Sequence, residues 1–383
     1  MTPVTASDVL DLEDLLTEAR RTAGLDDFGD DGFREGLAVL LETYRINGYA
    51  PEALGRVRGR LVGLLTERLR IEDAWRRYPE ICDEPIVAPV YLTGLPRTGT
   101  SALLNLLATD LTMRPMALWE GMNPAPLPGR PPKEDDHRYV GLRDFLGRLY
   151  AKNPDFGTIH HTSADTPEEC IHLLNHTFAD VQFGVEVLIE PYASWFRARD
   201  HHAAYRYYAD ILRMLQWQRS GGRFLLKSPA HLWALDVLVE MFPDCSIVVT
   251  HRDPVESVAS YTSMMESMMV GRSYDRRELG PVVMEYLAAM MERAMACRTR
   301  IDPPRILDVD YDAFIADPVA VVRSIHEHFS LPVTGESVSG WEAHAAAHPR
   351  GEHGEHVYTL EEYGLSEAMI RDRFTLYLAS RRD

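Results

Sequence analysis

The densest chemistry in the chain lies in VAPVYLTGLPRTGTSALLNLL, residues 87–107. Gly94 and Gly99 stand five apart and are followed by Thr100 and Ser101, the spacing of a loop whose backbone N–H groups and following helix N-terminus hold a phosphate. A loop that works on a nucleoside triphosphate carries lysine directly after its second glycine; here Thr100 takes that place. Farther on, Glu120 is a carboxylate able to take a proton from a hydroxyl in a partly dry pocket. Lys227 closes the apolar run RFLLK with a compact positive charge, and His231 follows it as a second candidate base. Arg252 ends another apolar run, with Ser260 eight positions on. Glu169, His172 and His176 form one E-x-x-H pair and its next turn. A carboxylate-bridged metal site needs a second such pair, and none is present, so no metal is expected.

These residues need elements to position them. Val87 to Thr93 reads as a buried strand, and Leu103, Leu104, Leu106 and Leu107 give the next helix its core face. Pro115 to Trp119 suits a short second strand, with Glu120 just past it in a proline-rich irregular loop. ADTPEECIHLLNHTF reads as a helix start, with Asp165 or Thr166 as cap, Pro167 first, and Glu168 and Glu169 in the first turn. Arg223 to Leu226 is a strand, and Pro229 opens an amphipathic helix reaching Met241. Cys245 to Thr250 is a buried strand and Asp253 caps the helix after it; Ile306 to Val309 and a helix after Pro318 close the series. This β-α-β-α order implies right-handed parallel crossovers, with ligands held where the strands end. The fold expected is α/β: a P-loop-like parallel sheet flanked by helices. Residues 1–84 read as a helical N-terminal extension, packed on the sheet or on a second subunit, which leaves a homodimer open. Residues 85–383 form the catalytic domain, and a helical, aromatic-rich insertion at about 137–218 forms the acceptor pocket, with His160 and His161 as lining.

The string PRTGTS, residues 96–101, resembles the 5′-phosphosulfate loop of sulfotransferases that use 3′-phosphoadenosine 5′-phosphosulfate (PAPS). Tyrosylprotein and bacterial members carry P-R-S-G-T-T or close variants there, and cytosolic members P-K-S-G-T. The resemblance implies that Arg97 reaches the sulfonate and bridging oxygen, while Thr98, Gly99, Thr100 and Ser101 hold the 5′-phosphate. The Arg252–Ser260 spacing resembles the site that clamps the 3′-phosphate. LLKSPAHL is similar to K-S-P and K-T-P segments in which the lysine, here Lys227, points at the sulfonate. Cytosolic members place a catalytic histidine two residues after that lysine; here Pro229 stands there. The base therefore falls to Glu120, which several groups place at a similar distance after the loop arginine, with His231 second. The tail around HPRGEHGEHVY resembles a bacterial segment whose equivalents of Arg350, His353 or His356 fold over the cofactor.

The rest of the chain bounds this reading. A formal charge of −18 argues against general nucleic-acid binding and makes each well-placed cation informative. Cys82, Cys170, Cys245 and Cys297 form no C-x-x-C pair, so neither a disulfide framework nor a zinc site is indicated. No run is long and apolar enough for stable membrane insertion, and MTPVTASDVLDLEDLL has no leader character, which points to the cytoplasm. The expected reaction is transfer of a sulfonyl group from PAPS to a hydroxyl of a small, apolar acceptor. The rivals are a P-loop small-molecule kinase and a non-catalytic nucleotide-binding protein.

Overall fold

The computed structural model describes residues 10–152, 162–269, 272, 274–348 and 359–381. Five strands, β1 (Val90–Gly94), β2 (Met113–Pro115), β3 (Arg223–Lys227), β4 (Ser246–His251) and β5 (Ile306–Asp310), form one parallel sheet in the order β2-β3-β1-β4-β5. Every residue of β1 is buried, as its central place requires. The register sets Leu92 beside Lys227 on one side and Gly94 beside Thr250 on the other. The ends of β1, β3 and β4 thus meet where the chain crosses from one half of the sheet to the other, the place where open α/β sheets bind ligands.

Alternation along β1 divides the core. Tyr91 faces a large cluster shared with the N-terminal helices α1 (Leu12–Ala23), α2 (Phe33–Ile46) and α3 (Pro51–Arg77), whereas Val90 and Leu92 face the other side. Burial of Leu15, Leu37, Leu65 and Leu69 in the same cluster as Leu226 and Ile247 makes these helices one side of the sheet's own core. Arg68 of α3 is fully enclosed and donates to the carbonyl oxygens of Phe28, Asp30 and His176, satisfying a charge that burial alone would penalise. On the opposite face, α4 (Thr100–Leu107) packs Leu103, Leu104, Leu106 and Leu107 with Val322, Ile325 and Trp341.

Three expected elements differ. The second strand is Met113–Pro115, and Glu120 lies in a short helix, α5 (Leu118–Met122), instead of an irregular loop. After α6 (His137–Lys152), residues 164–169 form a non-helical strap that starts with a turn, because Leu118, Trp119 and Glu168 make backbone bonds across this gap and Ala117 bridges Pro167. Helical geometry starts only at Ile171, so Glu168 and Glu169 are not in a first helical turn. The helix expected from Pro229 breaks at Ala234 into a 3₁₀ turn, Pro229–Trp233, and α8 (Leu235–Met241), which follows the long α7 (His202–Gln218) in the chain. Beyond β4 come α9 (Pro254–Met268) and α10 (Arg276–Arg298), and beyond β5 α11 (Pro318–His328) and α12 (Gly335–Ala347). Among the described residues no helix is long and apolar enough to cross a membrane. His160, His161, Arg350, His353 and His356 lie outside the described residues.

Candidate active site

The loop between β1 and α4 is shaped by two glycines. Gly94 has φ +150°, and a Cβ there would stand 2.3 Å from the Thr250 hydroxyl; Gly99 has φ +85°, and a Cβ there would stand 2.9 Å from the Tyr311 ring. Between them Arg97 itself adopts φ +70°, a left-handed conformation unusual for a side-chain-bearing residue. Thr98 is buried, and its hydroxyl donates to the Leu95 carbonyl oxygen at 2.7 Å and meets the Thr250 hydroxyl at 2.6 Å. That hydroxyl therefore braces the loop from inside, leaving Thr98 only its backbone for an anion. The α4 N-terminus, opened by Gly99, Thr100 and Ser101, presents the N–H groups that no helical turn satisfies.

Lys227 lies at the end of β3 with a side chain only 3% exposed. Its Nζ donates to Ser101 Oγ at 3.1 Å and to Glu169 Oε1 at 2.5 Å. Glu169 is delivered by the non-helical strap: Glu168 N–H donates to Met116 O on one side of it, and Cys170 N–H to Lys227 O on the other. A carboxylate, an ammonium and the phosphate loop's serine thus converge at the carboxyl end of β3. The sequence signal for Glu169 was present in the E-x-x-H pair, but helix-start chemistry explained it away.

A second candidate anion seat lies where β4 gives way to α9. Arg252 Nε donates to Glu256 Oε2 at 2.7 Å, its Nη1 donates to the Arg97 carbonyl oxygen at 3.2 Å, and its guanidinium lies 4.3 Å from the centre of the Tyr311 ring. Ser260 Oγ accepts from Arg97 Nε at 2.9 Å. Arg97, Arg252 and Ser260 are therefore one cluster, with Arg97 leaning toward α9. Tyr311, absent from the sequence reading, touches both seats; nothing in its local sequence marks it, since only the fold brings β5 to Gly99.

The two candidate bases named from the sequence lie apart from this convergence. Glu120 is 3% exposed, and its oxygens accept from Arg114 at 3.2 Å, Arg219 at 3.1 Å and the Ala117 N–H at 3.0 Å. Arg114 pairs in register with Phe224, at the start of β3, about 10 Å back along the strand from Lys227. Burial pushes the pKa of the Arg114 guanidinium down to about 10, and the Glu120 carboxylate beside it opposes that shift. Glu120 is thus a structural anchor of α5. His231 is fully buried; its Nδ1 pairs with the Tyr205 hydroxyl at 2.9 Å and its ring meets Tyr91 edge-on. Burial lowers its pKa to about 3. Among the described residues no group of His, Cys, Asp or Glu is arranged to hold a metal ion.

A profile of the sulfotransferase family matches residues 89–335, which contain every residue of both seats. The crystal structure of sulfotransferase STF1 from Mycobacterium tuberculosis superposes with a TM-score of 0.85 at 33% identity, covering 96% of this chain and 99% of that one. STF9 from Mycobacterium avium superposes with a TM-score of 0.88 at 26% identity, covering 99% and 97%. Omega-hydroxy-beta-dihydromenaquinone-9 sulfotransferase Stf3 of Mycobacterium bovis is 22% identical over 273 residues, and the chain spans 64% of that protein's length. Glycine-shaped loop, lysine-bearing strand end and arginine-led helix lie within a fold and a sequence profile that agree: the chain belongs to the sulfotransferase family.

Proposed function

We propose that the protein transfers the sulfonyl group of PAPS to a hydroxyl of an apolar, lipid-like acceptor, with Glu169 as the base. The observation that carries the proposal is Lys227, which joins Glu169 to Ser101 of a phosphate loop lacking the triphosphatase lysine. The residues suit the donor: a loop whose two glycines leave no room for a Cβ against Thr250 and Tyr311, helix N–H groups for the 5′-phosphate, and Arg252 with Ser260 for the 3′-phosphate. PAPS, when bound, supplies a sulfonyl group already activated on phosphate. Glu169 takes the proton of the acceptor hydroxyl as its oxygen bonds to sulfur. Lys227, beside the loop's Ser101, would supply positive charge to the leaving phosphate as the S–O bond of PAPS breaks and the electron pair goes to that phosphate. Arg97 stands between the two seats and adds a second cation. The lipid-like acceptor is supported by the hydroxylated menaquinone named for the Stf3 relative.

Single-turnover transfer from labelled PAPS tests this, with a long-chain primary alcohol and a sugar offered together. Label is expected in the organic extract, without added metal, and 3′-phosphoadenosine 5′-phosphate (PAP) is expected to raise the melting temperature more than AMP or ATP does. Label confined to the sugar removes the acceptor assignment. Magnesium-dependent release of ADP from ATP, with no transfer from PAPS, replaces the whole reading with the kinase one.

A further inference from the structure

Beyond the residues matched by the family profile, two short helices, α13 (Glu367–Arg373) and α14 (Thr375–Ser380), grip both chain neighbours of Arg252. On one side, His251 has both ring nitrogens engaged: Nδ1 with the Tyr377 hydroxyl at 2.9 Å and Nε2 with Asp308 Oδ1 at 2.7 Å. The Tyr377 ring also stacks on it, with centroids 5.8 Å apart and planes 22° from parallel. On the other side, Asp253 accepts from the Val255 N–H at 2.8 Å to cap α9, while its second oxygen accepts from Arg371 Nη2 at 3.0 Å. The gripping segment is itself fixed. Ile370, Phe374 and Tyr377 are buried, and Arg373 pairs with Glu285 and Glu292 of α10.

Arg252 therefore lies between two pinned residues, and its own guanidinium is pinned as well. Of five N–H donors, those on Nε and Nη2 that face Glu256, and one on Nη1 that faces the Arg97 carbonyl oxygen, are engaged. One N–H on each terminal nitrogen is left to donate to phosphate oxygens. The direction of that pair follows from the backbone of the β4–α9 turn, and α13 and α14 hold that backbone from both ends.

We propose that Tyr377 and Arg371 are positioning residues for recognition of the nucleotide's 3′-phosphate, acting on Arg252 through His251 and Asp253. The proposal rests on the reading of Arg252 as the 3′-phosphate anchor. Calorimetry on the full chain, with PAP and AMP as probes, separates the two. Arg371→Ala and Tyr377→Phe are each expected to weaken PAP binding about three- to tenfold while AMP changes by less than about twofold. Arg371→Lys is expected to restore most of the loss. The Arg371–Asp253 pair is partly exposed, so its removal is expected to leave the melting temperature nearly unchanged. In an Arg252→Ala background, Arg371→Ala is expected to have no further effect, since both act through one guanidinium. Equal losses for PAP and AMP, or full additivity with Arg252→Ala, overturn the proposal. So does an unchanged PAP-to-AMP ratio in both C-terminal variants when Arg252→Ala has collapsed that ratio. If Arg252→Ala itself leaves the ratio at the wild-type value, the anchor reading falls and the proposal falls with it.

Discussion

Two glutamates of the same chemistry have opposite surroundings, and the proposed function gives them different tasks. Glu169 faces one ammonium at the mouth of the site, whereas Glu120 is closed in by two guanidinium groups and a backbone N–H. Glu169→Gln keeps the shape and removes the basicity, so kcat is expected to fall about 10²–10⁴-fold with PAP affinity nearly kept. Glu120→Gln leaves buried Arg114 short of its counter-charge, so it is expected to cost about 3 kcal/mol of stability while the folded fraction keeps its turnover. Urea unfolding and single-turnover assays on both variants decide; the reverse pattern returns the base to Glu120. His231 offers a check by pH. Its folded pKa of about 3 lies below the unfolded value of about 6.5, so the unfolded chain takes up the proton first as pH falls. The contribution of neutral His231 to stability is thus full above about pH 6.5 and is lost below it. The stability gap between wild type and His231→Asn is expected to narrow by about 1.4 kcal/mol per pH unit from about pH 6 down to pH 4. A gap that stays constant with pH shows that His231 titrates normally and is open to solvent.

At the scale of elements, local chemistry decided some features and long-range pairing decided others. The β1–α4 loop was legible because its glycines answer a local need: positive φ and no room for a Cβ. Gly99→Ala is therefore expected to strain the backbone and displace Tyr311, weakening PAP binding about tenfold or more; unchanged affinity in calorimetry shows that the loop tolerates the shift. The strand ending at Lys227 and the strand ending at His251, one residue before Arg252, were legible as apolar runs followed by a charge. The strap at 164–169 was not. Its cap residues, proline and glutamates satisfy every local rule for a helix start, but backbone bonds to Met116, Leu118, Trp119 and Lys227 outcompete the first helical turn. Those partners lie some fifty residues before and after it, where no window along the chain can register them. The ion partners of Glu120 were illegible for the same reason, since Arg219 approaches it only once α7 has returned to the sheet.

Across the whole molecule, the helices before β1 belong to the sheet's own hydrophobic core, and Arg68 ties them to the segment that follows the strap. Their amphipathic pattern was readable, while the surface they cover was not, because an apolar stripe does not name its partner. The site's cations are held in a similarly shared way. Lys227 and Arg252 each already face a carboxylate, Glu169 and Glu256, inside a chain of formal charge −18. A highly charged anionic nucleotide approaching from a distance therefore meets an acidic molecule whose attracting groups are mostly neutralised until contact. Dilute buffer lets that repulsion reach about 30 Å, and about 0.1 M salt shortens it to about 10 Å. The association rate constant for PAP, followed by stopped flow, is accordingly expected to rise with ionic strength over this range, opposite to the usual behaviour of anion-binding enzymes, whose basic surfaces draw their ligands in. A rate that falls with salt instead would mean that Arg97, Lys227 and Arg252 project a positive field beyond the site despite their partners.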